Sequence, residues 1–206
     1  MGGCEDDTGS IGAPPPPDED FTVRVNTSMG AFDIELYPEQ APITVDNFLA
    51  YVHDCFYDDL LIHRVISDFM IQGGGFTVDL EHPATRDPIP NEAANGLSNL
   101  RGTIAMARTS DPHSATSQFF INLKDNLFLD FKSETPQGWG YAVFGRVVAG
   151  MEVVDSIAAV ATGSQNGMND VPLTPVIIYS IQAPSGWRRC GAQSSVEENS
   201  LAIDRQ

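Results

Sequence analysis

The sequence predicts a mainly β domain, a closed antiparallel eight-stranded barrel capped by two α-helices. Three observations lead there. Short runs in which apolar and polar residues alternate recur along the chain, as strands with one buried face require. Two stretches, near residues 45–52 and 154–161, carry apolar residues at helical spacing instead. Glycine, proline and asparagine punctuate the intervals between these runs.

Residues 21–26 and 32–37 both alternate, with Ser28-Met29-Gly30 between them, and predict an antiparallel hairpin. After Pro38 and Pro42, the residues Val45, Phe48, Leu49 and Val52 form one stripe of an amphipathic helix, with Thr44 expected to cap its start. Residues 60–71 supply a strand pair broken at Ser67-Asp68, and 77–98 a long ordered loop. Residues 103–108 and 118–123 predict two more strands, joined through the turn Asp111-Pro112-His113-Ser114. One helical turn is expected over 126–131, carrying Phe128 and Leu129. Gly138-Trp139-Gly140 marks a bend before a strand at 141–148. Gly150 opens the second helix, on Val154, Ile157, Ala158 and Ala161. A Gly/Asn loop and a final strand at 176–181 complete the domain.

At 206 residues, 42% of them hydrophobic, the chain can bury one sizeable core. No apolar run approaches the roughly 20 residues that span a bilayer. A net charge of -17, with Lys124 and Lys132 the only lysines, opposes nucleic acid and anionic membrane surfaces as partners. Cys4, Cys55 and Cys190 do not make a disulfide framework or a metal-ligand spacing. Cys55 is expected as a buried or half-buried thiol, with a Cys55–Cys190 bridge left open. His53, His63, His82 and His113 show no metal spacing either, and no G-x-S-x-G or H-E-x-x-H is present. Hydrolase and metalloenzyme chemistry are therefore unsupported, and no cofactor or metal is expected.

The most informative stretch runs from Ile62 through His63, Arg64, Phe69, Met70 and Gln72 to Gly73-Gly74-Gly75. Strand alternation places Ile62, Arg64 and Ile66 on one side and His63 on the other. An arginine on an apolar strand needs an acceptor, because an unpaired buried charge costs several kcal/mol. Two readings are open: a structural ion pair, or a guanidinium presented to a ligand beside Phe69, Met70 and Gln72. The glycines lack the Lys-Ser/Thr of a phosphate loop and predict a backbone turn.

The stretch Ile-His-Arg-Val-Ile-x-x-Phe-Met-Ile-Gln-Gly-Gly resembles the signature of the cyclophilin-type peptidyl-prolyl cis-trans isomerases, most closely the bacterial branch. Two further blocks agree in order: Asn91-Glu92 through Arg108, and Ser114 through Asn122. The resemblance covers about residues 21–183. It implies the barrel fold and an enzyme that accelerates rotation about X–Pro bonds, with proline-containing peptides and unfolded protein clients as partners and a monomer as the expected state. It implies that Arg64 is the catalytic residue. Phe69, Met70, Phe120 and Leu129 would form the proline pocket, and Gln72 would hydrogen-bond substrate backbone and orient the arginine. Ala107, Arg108 and Gln118 would hold residues preceding the proline, Arg108 through its backbone. The family's pocket tryptophan stands here as Phe128 and its pocket histidine as Tyr141. Loss of the indole N–H implies weak or no cyclosporin binding. A proline-peptide binding module or holdase without turnover is the alternative, and a purely structural envelope lipoprotein the third reading.

Outside that domain lie residues 1–20 and 184–206. The first is acidic and contains Pro14-Pro15-Pro16-Pro17, which predicts a stiff polyproline spacer in a flexible segment. Small residues before Cys4 and acids after it resemble the end of a bacterial lipoprotein signal. The implied outcome is lipidation at Cys4, membrane tethering and a location in the bacterial periplasm or cell envelope; the alternative is an ordinary start in a cytoplasmic protein. The tail 184–206 is polar apart from Trp187 and suggests no role.

Overall fold

A computed structural model describes residues 21–183. Strand β1 (Thr22–Thr27) buries Val23 and Val25 and turns Arg24 to solvent, and β2 (Gly30–Leu36) buries Phe32, Ile34 and Leu36. The two pair antiparallel across the turn, so their inner faces meet. Six more strands complete the barrel: β3 (Leu60–Ile66), β4 (Met70–Gly73), β5 (Thr103–Met106), β6 (Phe119–Asn122), β7 (Val143–Ala149) and, last in the chain, β10 (Val176–Gln182). Each pairs antiparallel with its neighbours in the closed order β1-β10-β3-β4-β6-β5-β7-β2, which leaves no open edge.

Helix α1 (Pro42–His53) buries Val45, Phe48, Leu49 and Val52, the stripe read from the sequence, together with Tyr51. Phe48 anchors it, with ring centroids 5.3 Å from Tyr57 and from Phe144 and 5.9 Å from Phe119. Helix α2 (Met151–Ala158) contributes Val154 and Ile157 to the same core; Ala161, expected in its stripe, lies past its end. The two helices cap the barrel.

The start of α1 corrects one expectation. Thr44 is not the cap: Ala41 holds that position without a side-chain bond, and Thr44 is fully buried. The orphan N–H groups of Ile43 and Thr44 donate instead to the Glu92 carboxylate, at 3.2 and 2.8 Å, and the Thr44 hydroxyl donates to it at 2.7 Å. The cap comes from a residue 48 positions away, so the long loop is tied to the helix.

A second correction concerns β3. Ile62 pairs with Gly73 and Arg64 with Gln72, so β3 advances two residues where β4 advances one, and His63 is the extra residue of a bulge. Ile62 therefore points into the barrel core, whereas Arg64 and Ile66 point outward. The glycine turn that follows packs tightly. Gly74 has φ +80°, and a Cβ there would lie 2.8 Å from Tyr57 Cε1 and 3.1 Å from Ser117 O.

A third correction is a hairpin where only a loop was expected: β8 (Thr162–Gln165) and β9 (Met168–Pro172) form a two-stranded sheet of their own. Cys55 is partly buried but is not a free thiol; it is disulfide-bonded, and the cysteine it pairs with lies outside the described residues. Cys4, the proline run and the tail also lie outside them. No helix among the described residues is long and apolar enough to cross a membrane.

The remote cap generates a test. Glu92→Ala removes the acceptor of all three bonds and should destabilise the fold by about 1–2 kcal/mol in urea unfolding. An unchanged midpoint would mean that Pro42 alone starts the helix.

Candidate active site

The barrel strands that build the site are apolar on both faces. Ile71, Ile104, Met106, Phe119, Ile121 and Phe144 point into the main core. Their alternate neighbours Met70, Ala105, Phe120 and Val143 form a second buried cluster on the outer face. Ile66, Phe69, Leu97, Ala107, Leu129 and Tyr141 pack around it, partly exposed. The sequence thus reads as continuous hydrophobic strand because one face fills the barrel and the other floors a pocket.

That pocket has a volume of about 250 Å³. Met70 and Phe120 form its buried floor, and Phe69, Leu129, Ala107 and Tyr141 its walls. Arg64 and Gln72, paired across β3 and β4, and Arg108 complete the lining. Eight of the ten residues implied as substrate-binding therefore converge on it, with Arg64 beside them. Arg108 contributes its side chain, not only its backbone. Its guanidinium donates to Gly140 O and Thr109 O, both at 2.9 Å, and lies 4.6 Å over the Tyr141 ring. Tyr141 in turn meets Phe120 edge-on at 5.6 Å.

The remaining two residues sit beside the pocket. Phe128 is 62% exposed and stacks on Phe69 at 5.7 Å and 21°, on the rim rather than the lining. It faces an adjoining open cleft bordered by Pro136 and Gln137. Gln118 lies behind Gln72 and accepts its amide hydrogen at 2.9 Å. Gly75 explains that placement, since a Cβ there would overlap the Gln118 side chain.

Arg64 and Gln72 also border a second cavity of about 430 Å³. Its walls are Gln118, the mutually tilted, contacting rings of His63, Phe76 and His82, and Met168, Asn169 and Asp170 from β9. The Arg64 side chain, 43% exposed, places Nε 3.6 Å from Asp170 Oδ2. Arg64 thus has a carboxylate neighbour and also lines the first pocket. His63 and Arg64 do not point to opposite sides of the strand, because the bulge brings both to this cavity.

Sequence reasoning missed two parts of the site. Asp170 belongs to the hairpin read as a loop. The other part is a network of fully buried asparagines. Asn126 donates to Phe69 O at 2.9 Å and to Asn122 Oδ1 at 2.8 Å; Asn122 donates to Asn99 Oδ1 at 3.2 Å; Asn99 donates to Asp130 at 2.9 Å. These bonds tie the Phe69 turn to β6 and to the Leu127–Leu129 helical turn, holding two pocket walls in register. Among the described residues no group of three His, Cys, Asp or Glu side chains is gathered to hold a metal.

Burial pushes the His63 imidazole down to about 4, with the neighbouring His82 and Arg64 acting in the same direction. Its Nδ1 has no partner among the described residues. Above about pH 6.5 the imidazole is neutral in the folded and unfolded chain alike; between there and about 4 only the unfolded chain takes the proton, so stability falls with falling pH. Wild type should lose about 2 kcal/mol more than His63→Phe between about pH 7.5 and 5 in urea unfolding. Parallel pH dependence of the two proteins would contradict the neutral buried imidazole.

Comparison with known proteins agrees with this geometry. Residues 22–183 match the family described as cyclophilin type peptidyl-prolyl cis-trans isomerase/CLD. Peptidyl-prolyl cis-trans isomerase cyp18 of Streptomyces antibioticus is 62% identical over 159 residues, covering 77% of this chain and 96% of the relative. Peptidyl-prolyl cis-trans isomerase B of Escherichia coli (strain K12) is 55% identical, covering 77% and 97%. The crystal structure of a Cryptosporidium parvum cyclophilin type peptidyl-prolyl cis-trans isomerase, in the presence of the dipeptide Ala-Pro, aligns with a TM-score of 0.64 and 26% identity over 79% of this chain and 98% of that one. The match over residues 22–183 and the identity to these relatives over most of their length show that this chain belongs to the cyclophilin-type peptidyl-prolyl cis-trans isomerases.

Proposed function

We propose that the chain accelerates rotation about X–Pro bonds in peptides and unfolded protein clients, with Arg64 as the catalytic residue. One observation carries the assignment of roles: a guanidinium stands at the edge of an apolar pocket floored by Met70 and Phe120. Rotation of the amide faces a barrier of roughly 18–20 kcal/mol from resonance, breaks no bond and needs no proton transfer. As the amide twists, the proline nitrogen pyramidalises and gains a lone pair that a fixed guanidinium N–H can meet. The planar amide is the more polar form, so an apolar pocket gripping the ring disfavours it relative to the twisted one. A 10⁵-fold acceleration asks for about 7 kcal/mol, within reach of one charge-assisted bond together with desolvation and binding. Gln72, whose amide donates to Gln118, would bond the substrate backbone.

A pocket used only for recognition has no need of a cation at its edge, so the binding-module reading is not favoured. Weak cyclosporin binding follows from the exposed phenyl ring at Phe128, which offers no donor. A location in the cell envelope, through lipid on Cys4, is supported by the N-terminal motif alone; mass spectrometry of the cellular protein tests it.

The decisive measurement is NMR cis-trans exchange on an Ala-Pro-Phe type peptide. Arg64→Ala should slow exchange by about 10²-fold or more while peptide binding changes by only about threefold. Equal loss of binding and rate would make Arg64 a ligand anchor, and binding without accelerated exchange in wild type would restore the recognition module. Phe128→Trp, which supplies an indole N–H at the rim, should tighten cyclosporin binding, read by calorimetry.

A further inference from the structure

We propose that Asp170 is a positioning residue for Arg64, a role that rests on Arg64 acting at the X–Pro bond. Arginine carries several rotatable bonds, and a guanidinium at the edge of an open pocket must be held if it is to meet a nitrogen that moves only slightly. Among the described residues nothing else holds it: no hydrogen bond to its side chain is formed, and Asp170 is the one carboxylate in ion-pair contact. The contact falls on Nε, 3.6 Å from Oδ2, which leaves the two terminal nitrogens for the substrate. Gln72, its partner across the strand pair, gives its amide hydrogen to Gln118.

The backbone delivers the carboxylate. β8 and β9 pair with each other and β9 packs against β3, bringing Met168, Asn169 and Asp170 to the wall of the second cavity. Asp170 itself has φ +62°, a left-handed conformation inside a strand that only a few residue types accept readily. The groups facing it across the cavity are Arg64, the neutral His63 and the ring of His82, so its charge meets the catalytic guanidinium.

Two variants separate charge from backbone. Asp170→Asn keeps a side chain that accepts the left-handed conformation and removes the charge; Asp170→Gly relieves that conformation altogether. With kcat and KM resolved by NMR line-shape analysis of the same peptide, both should lower kcat by about two- to fivefold, as expected for a half-exposed ion pair, with KM unchanged within about twofold. Thermal unfolding of Asp170→Gly should be unchanged or higher. In an Arg64→Lys background, which keeps a cation but has no Nε, Asp170→Asn should cause no further loss. Wild-type kcat in Asp170→Asn would overturn the proposal, as would a loss of the same size in the Arg64→Lys background. Wild-type turnover in Arg64→Ala would instead remove the reading of Arg64 on which it rests.

Discussion

Barrel closure is the constraint on which everything else depends. Eight antiparallel strands closed on themselves leave an interior that side chains fill, and here the rings of Phe32, Phe119 and Phe144 and the branched chains of Ile34, Ile71, Ile104 and Ile121 occupy it. No ligand can enter that space. A binding site must use the outer face, where solvent normally demands polar residues. Along β4, β5, β6 and the start of β7 that rule is suspended, and Met70, Ala105, Phe120 and Val143 form an apolar floor on the outside.

An exposed apolar surface next to water has to be walled and held in shape. Phe69, Leu129 and Tyr141 wall it, and polar groups inside the structure hold the walls. The asparagines Asn99, Asn122 and Asn126 are wholly buried yet bonded to one another and to backbone, so they rigidify the Phe69 turn instead of weakening it. Arg108 bonds Gly140 O and Thr109 O and lies over the face of Tyr141, which makes it part of the wall. Arg64 differs in that, among the described residues, its one ion-pair contact is with the half-exposed Asp170 carboxylate, through Nε.

The bulge at His63 is what lets one strand serve both purposes. Ile62 enters the core, His63 is buried against Phe76, and Arg64 turns outward within three consecutive residues. A regular strand would have put Ile62 and Arg64 on the same face, leaving either an apolar side chain outside the core or a charge inside it. The buried neutral imidazole is the cost of that arrangement, since its protonated form is disfavoured by the same burial.

Much of this was legible in the sequence. The strand runs, the helical stripe of Val45, Phe48, Leu49 and Val52, and the ordered blocks around Arg64, Arg108 and Gln118 determined the barrel, the family and most of the pocket lining, because hydrophobic periodicity and short motifs are local properties. What the chain alone did not decide depends on contacts between distant residues. The cap of α1 is Glu92, not Thr44, because the loop carrying it folds back onto the helix. The β8–β9 hairpin had a local sign in Asn166-Gly167, whose φ of 49° and 80° suit a tight hairpin turn, but β8 is mostly exposed and neither strand shows apolar alternation. The bulge at His63 has no signature, since an extra residue exists only relative to a partner strand. Phe128 stands on the rim instead of the lining, set by the path of the turn that carries it. Local chemistry wrote the pocket's composition; the pairing of strands and loops far apart in the chain decided which of those residues face one another.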